Sequence, residues 1–262
     1  AITSQRFRLR WLLGYGAALV CIIISLKSGS RAAIVTMGVL FVLIVLHAGF
    51  ATKIKLVVIV AALIGGTVPF LSRATIERYL TLTPDTDNLV TAEAKFAAGS
   101  SQSRRYILNQ SIVFTLRHPL FGVGPGAFAI AEEQSARAKG RRGAWLQTHN
   151  TYTQVSSEIG LPGFAIYIAI LGSSVWGLNR VRRATAHDIS LKRLHQMATC
   201  ILLSMTIYMV NTFFTSLAFR MYMPTLVGFA AAFVCLADQE LARRTGPARL
   251  RAAHSATVAA AR

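Results

Sequence analysis

Acidic residues are scarce in this chain: ten Asp and Glu stand against 28 Lys and Arg in 262 residues, and charged residues of either sign make up only 15%. With 53% hydrophobic residues and a mean hydropathy of +0.49, this excludes an ordinary soluble domain and points to an integral membrane protein. Cysteine is nearly absent as well. Cys21, Cys200 and Cys235 are odd in number and all lie in apolar runs, which excludes a disulfide framework. No spacing of His, Asp and Glu resembles a metal site, so neither a metal nor another cofactor is expected. Tandem repeats are missing too. The formal net charge of +18 does not call for nucleic acid, because the cations fall largely between and beside apolar runs. Membrane lipids and a positive-inside bias account for most of them.

What is present is apolar sequence in long runs. Six read as spans: Trp11–Leu26, Ala32–Phe50, Ile54–Leu71, Leu161–Leu178, Met197–Phe219 and Met221–Ala237. In lipid such runs must satisfy their own backbone, and none alternates as a barrel strand would, so the fold class is all-α, a polytopic bundle of helices. The expected organisation is three spans within residues 1–71, a polar excursion at 72–160, three spans within 161–237 and a basic, disordered tail at 238–262. Ala1 in place of Met, and Arg6, Arg8 and Arg10 leading into an apolar run without a cleavage site, read as a truncated chain rather than a signal peptide. If the spans alternate, the cations around Arg6, Lys53, Lys55, Arg180, Lys192 and Arg243 share one side, the cytoplasmic one. The excursion then faces outward with Arg31 and Arg220. Lys27, Arg31 and Arg220 are cations on the unfavoured side, at mouths of spans, and need a function or a lipid phosphate to explain them.

Within the excursion, Ser103 is expected to cap a helix reaching Arg117, with Tyr106, Val113, Leu116 and Leu120 on one face and Pro119 ending it. Gly122, Gly124 and Gly126 mark a permissive turn, read as structural and tightly packed rather than as a nucleotide loop, since no Gly-Lys-Ser/Thr is present. Residues 134–143 read as a basic, mobile stretch. A second helix is expected to start at Thr148 or Asn150 and to stop at Gly160 before Pro162 opens the fourth span.

Three places hold residues suited to chemistry. Ser28-Gly29-Ser30-Arg31 combines hydroxyl caps, a helix N-terminus and a guanidinium, which suits an anion such as a phosphate; the bland reading is a tight turn with a snorkelling Arg31. His149 stands at a helix start, where the positive dipole end disfavours the imidazolium and leaves a base, although a lone histidine is more often structural. His118 suits a helix C-terminus instead. Arg220 is either a third cation for the site or a snorkelling side chain. Asn211, inside the fifth span, reads as an inter-helix hydrogen bond.

Ser28-Gly29-Ser30-Arg31, then Ser103-Arg104 followed by His118-Pro119-Leu120-Phe121-Gly122-Val123-Gly124-Pro125-Gly126, then Thr148-His149-Asn150-Thr151-Tyr152 and Glu158-Ile159-Gly160-Leu161-Pro162-Gly163 together resemble the O-antigen ligase family. That family includes O-antigen polymerases and protein O-oligosaccharyltransferases. Its members have more spans than this chain, with a large extracytoplasmic loop late in the sequence and three spans after it, so the resemblance is to the C-terminal half. Leu108 stands where an aromatic residue is common, and Ala127 where Asn is common.

The resemblance implies a glycan transferase of the bacterial cytoplasmic membrane, with its active site on the periplasmic face. The implied donor is an undecaprenyl-diphosphate-linked glycan. Arg31 and Arg104 would engage its diphosphate and His149 would be the catalytic residue, with Ser30, Asn150 and Arg220 as further candidates. Attack by the acceptor hydroxyl would invert the anomeric centre without a metal. The acceptor stays open among lipid A-core, a growing glycan and a protein hydroxyl. A transporter is the reading from another class; few ionisable residues in the spans and no broken-helix repeat argue against it.

Overall fold

The computed structural model describes residues 16, 20–25, 30–47, 49–67, 92–143 and 145–260, and every regular element among them is helical. Most of the first expected span, with Lys27, Ser28, Gly29, the end of the third span and the start of the polar excursion, lies outside the described residues. The chain divides into two compact units, Ala1–Asn109 and Gln110–Arg262.

In the first unit, α1 (Arg31–His47) and α2 (Phe50–Thr67) pack on each other. The Ser30 carbonyl accepts from the Ala33 amide at 3.1 Å, and its hydroxyl lies 3.4 Å from the same nitrogen, so Ser30 closes the first turn of α1 as an N-cap does. Lys53 and Lys55, expected between spans, fall inside α2, where the Lys53 amide donates to Gly49 O at 3.0 Å. The apolar run breaks at Gly49, several residues earlier than the charges suggest.

α3 (Ala92–Arg117) begins well before Ser103, which lies inside it rather than at its cap. The Ala-rich stretch from Ala92 to Ala98 favours helix strongly enough to carry the element upstream of the first capping-type residue. Its end falls at Arg117, as Pro119 requires. Among the described side chains of α3, Ile107, Ser111, Phe114 and Thr115 are buried, whereas Leu116 and the following Leu120 are 74% and 63% exposed, so the inward face is turned away from the one expected. α4 (Phe128–Arg137) occupies the start of the stretch read as mobile. Its last turn is tied by Arg137 Nε to Glu133 Oε1 at 2.5 Å, a bond that holds the Glu133 carboxyl below the usual carboxylate range.

The second unit is built on α5 (Thr151–Ala184), which packs against α6 (Lys192–Asn211) and α7 (Tyr222–Ala260). Leu171, Leu178, Val181, Ala198, Ile201, Met205, Ala230, Phe233 and Ala237 form the shared core. Gly177 lets α7 approach, since a Cβ there would already stand 3.4 Å from Val234 Cγ2. Outside this seam, Ile166, Ile168, Trp176, Phe229 and Leu236 face outward, the exterior that a lipid surround favours. Among the described residues, two helices are long and apolar enough to cross a membrane, Thr151–Ala184 and Tyr222–Arg244, and a shorter apolar helix covers Ala32–Leu46. At the end away from the α5 N-terminus, Asp188 accepts from the Ser190 amide at 2.8 Å and caps the 3-10 turn Ile189–Leu191. Arg180 pairs with Asp238 across α5 and α7.

Two differences from the apolar pattern matter for the site. The run Met197–Phe219 is not one helix: α6 stops at Asn211, its last residue rather than a mid-span one, and residues 212–221 form an irregular segment. Hydropathy sees apolar side chains there, but the carbonyls of Thr212 and Thr215 are taken by Thr151 N and Oγ1 at 2.8 and 2.6 Å, so that backbone cannot also propagate a helix. At the other end of the chain α7 continues through residues 238–260, where a disordered tail is expected; Ala, Leu and Arg there are good helix formers.

Candidate functional site

The second unit assembles a site from three segments: the glycine turn at 118–127, the start of α5, and the irregular stretch between α6 and α7. Asn150 begins α5. Its backbone is extended, and its Oδ1 accepts from the amides of Tyr152 and Thr153 at 2.9 and 3.2 Å, satisfying two donors that the helix end leaves open. Asn150 is therefore a cap, and its amide oxygen is committed to that role. Asn150→Ala should lower stability by about 1 kcal/mol, the usual worth of such a cap; a melting curve of the purified variant checks this.

His149 immediately precedes the cap and is half-buried, with φ at +52°, a left-handed conformation that non-glycine residues rarely adopt. The surroundings impose it. The His149 amide donates to Ser216 Oγ at 2.8 Å, Thr148 Oγ1 lies 3.2 Å from the same hydroxyl, and Thr148 Oγ1 also donates to the Asn150 carbonyl at 3.0 Å. Thr151 repeats the pattern one residue past the cap, donating to Thr215 O and accepting from the Leu217 amide at 2.9 Å. Farther along, Gln154 Oε1 accepts from the Ala218 amide at 3.3 Å and Tyr152 donates to Met209 O at 2.9 Å. Each polar residue of Thr148-His149-Asn150-Thr151 thus holds either the helix end or the 212–218 segment. The left-handed backbone is thus held by bonds to the 212–218 segment and the helix cap.

The glycine turn is locked to the far end of the same short helix. Val123 and Gly124 amides donate to the carbonyls of Ser157 and Glu158 at 2.8 and 3.0 Å, and the Leu161 amide donates to Pro119 O at 2.7 Å. Gly160, at φ 80° and ψ 179°, breaks α5 as expected. Two glycines make the contact possible: a Cβ on Gly122 would stand 2.4 Å from the Glu158 carbonyl carbon, and one on Gly160 would stand 2.4 Å from Leu120 O. Glu158, almost fully buried, reaches the turn with its carboxyl, accepting from the Gly126 and Phe128 amides at 3.0 and 3.3 Å. α4 has no side-chain cap of its own at Ala127, and Glu158 supplies the missing acceptor. Phe114 and Phe128 meet edge to face behind it, and Thr115 and Ser156 hydroxyls are 2.9 Å apart.

A cavity of about 310 Å³ opens between these segments, lined by Gly126, Gln147, Gln154, Ser216, Phe219 and Arg220. Ser216 is shared: it forms part of the wall and also holds the His149 backbone. Of the site residues expected in the second unit, Arg220 lines the cleft, His149 is tied to its wall through the backbone bond to Ser216, and Asn150 caps α5. The others lie in the first unit. Arg104 is exposed on α3; Ser30 caps α1; the Arg31 backbone opens α1, and its side chain is outside the described residues. His118 follows the end of α3, its carbonyl accepting from the Gly122 amide at 2.9 Å, and is exposed, in keeping with a helix-end residue. Among the described residues no group of His, Cys, Asp and Glu could hold a metal ion.

Sequence reading missed Ser216, Gln147, Gln154 and the capping role of Glu158. Thr215-Ser216 inside an otherwise apolar run was the available signal for the first. The others act through contacts that no local pattern shows.

No curated protein matches the chain significantly. The O-antigen ligase family model matches residues 8–168, a range that takes in the Ser-Arg block, the glycine turn and the Thr-His-Asn-Thr block. With that match over more than half its length, the chain belongs to the O-antigen ligase family, whose members are membrane glycosyltransferases of the ligase and polymerase type.

Proposed function

We propose that the protein transfers an oligo- or polysaccharide from undecaprenyl diphosphate to an acceptor hydroxyl, with His149 as general base and Arg31 and Arg104 on the donor diphosphate. The observation that carries this reading is the left-handed His149 backbone, fixed by Ser216 at the edge of a polar cavity, in a chain of this family. His149 takes the proton as the acceptor oxygen bonds to the anomeric carbon. The bond from that carbon to the phosphate oxygen breaks, and undecaprenyl diphosphate leaves with the electron pair. The configuration inverts. A diphosphate is already a good leaving group, so fixed cations suffice to stabilise its developing charge.

Six spans and a periplasmic catalytic loop fit this chemistry, since the donor's lipid lies in the membrane and its glycan outside. Ligase, polymerase and protein-glycosylating versions differ only in the acceptor, and the base and cations serve any of the three. Deleting the gene should make one surface glycoconjugate disappear while undecaprenyl-linked glycan accumulates; neither change, by analysis of intact membranes, would sink the transferase reading.

The clamp has its own test. Arg holds a diphosphate through two parallel N–H bonds, which Lys cannot reproduce. Arg31→Lys and Arg104→Lys should each weaken donor binding by about tenfold or more, the scale of a lost charged hydrogen bond. Near-normal transfer by both well-inserted variants would exclude the shared clamp.

A further inference from the structure

The cavity beside His149 has a chemical bias that the transfer reaction alone does not require. The Ala218 amide must donate to an oxygen, so Gln154 turns its Oε1 to Ala218 and its Nε2 to Gln147 Oε1, at 3.3 and 3.4 Å. With that oxygen engaged, Gln147 offers its NH₂ to a ligand, whereas the Gln154 amide also bonds the Glu158 carboxyl. Arg220 adds a guanidinium that joins no salt bridge among the described residues, and no carboxylate lines the cavity. Phe219 contributes an aromatic surface next to these donors, while Gly126 leaves its part of the wall open, with nothing within 4 Å of where a Cβ would stand. A cleft of about 310 Å³ is at the small end of ligand sites, the scale of a single sugar ring.

Resting on the reading of His149 as base, we infer that this cavity is the acceptor subsite and that Arg220 makes it select a sugar ring carrying an anionic group. The base must touch the attacking hydroxyl, and Ser216 joins the base's backbone to the cavity wall, so the ring bound here carries or adjoins that hydroxyl. Arg220 and the amide of Gln147 then take the anion, with the apolar face of the ring against Phe219. A carboxylate and a phosphate present the same chemistry to these donors.

Equilibrium binding to the purified protein tests this without turnover, using glucose, glucuronate and glucose 6-phosphate as probes. The unaltered protein should bind at least one anionic sugar about tenfold more tightly than glucose, the worth of a charged hydrogen bond. Preference for glucuronate identifies a carboxylate, preference for glucose 6-phosphate a phosphate, and either supports the subsite. Arg220→Gln should abolish the preference and Arg220→Lys should keep part of it. His149→Ala should keep it fully, so a failed base assignment stays separate from a failed subsite. Equal binding of all three sugars, or an Arg220→Gln protein that still prefers the anionic one, would overturn the inference.

Discussion

His149→Ala is expected to insert and fold, to keep binding the lipid-linked donor, and to transfer glycan about 10²–10⁴-fold more slowly, the usual contribution of a positioned base. Three features of the structure make the effect separable from stability. The residue is half-buried rather than core, its backbone is held through its own amide by Ser216, and the helix cap belongs to its neighbour Asn150. Alanine keeps the amide and incurs only a somewhat larger left-handed penalty than histidine, which the bond to Ser216 and the Asn150 cap can hold, so the loop should survive. His149→Gly sharpens the result: it removes left-handed strain of roughly 1–2 kcal/mol and should raise the melting temperature while losing the same activity. His118→Ala, at an exposed helix end, should lose far less. If activity in His149→Ala falls only in proportion to the folded fraction, the histidine is a structural residue.

The second large effect is on folding. Gly160→Ala should fail to yield a monodisperse protein, or should melt far below the unaltered chain. At φ 80° and ψ 179° the backbone occupies a region essentially reserved for glycine, and the added methyl would collide with the Leu120 carbonyl rather than with a side chain able to move. Backbone strain of about 1–3 kcal/mol and overpacking of about 1–3 kcal/mol are together a large share of a typical domain's stability. Gly172→Ala is the control, since a Cβ there has nothing within 4 Å and the position is helical. That change should be neutral or stabilising, by up to about 1 kcal/mol. Equal melting of the two variants in a thermal-shift or size-exclusion assay would mean that the turn and the helix break are not locked as described.

Features governed by neighbours in sequence were legible: Asn150 as a cap, Gly160 as a stop, and Pro119 as the end of α3 all follow from local backbone chemistry. The order of short motifs also located the family. Features that depend on partners far along the chain were not. His149 is oriented by Ser216, 67 positions away, and Thr151 by Thr215, 64 away. Through its amide and its hydroxyl Thr151 draws the carbonyls of Thr212 and Thr215 out of helix, which is why Met197–Phe219 reads as a continuous span and is not one. Ser103 misled for the opposite reason. A good capping residue in the middle of a strong helix caps nothing when the residues before it already favour the helix.

The transferase assignment meets its most direct test in vesicles containing only the purified protein and an undecaprenyl-diphosphate-linked glycan radiolabelled in the sugar. Adding an acceptor that carries a free hydroxyl, drawn from lipid A-core, glycan or protein, should move label from lipid to acceptor and release undecaprenyl diphosphate in equal amount, with inverted anomeric configuration and no need for added metal or nucleotide. The His149→Ala protein should do neither. Transfer that retains configuration, or that proceeds undiminished in His149→Ala, would contradict direct displacement assisted by this histidine.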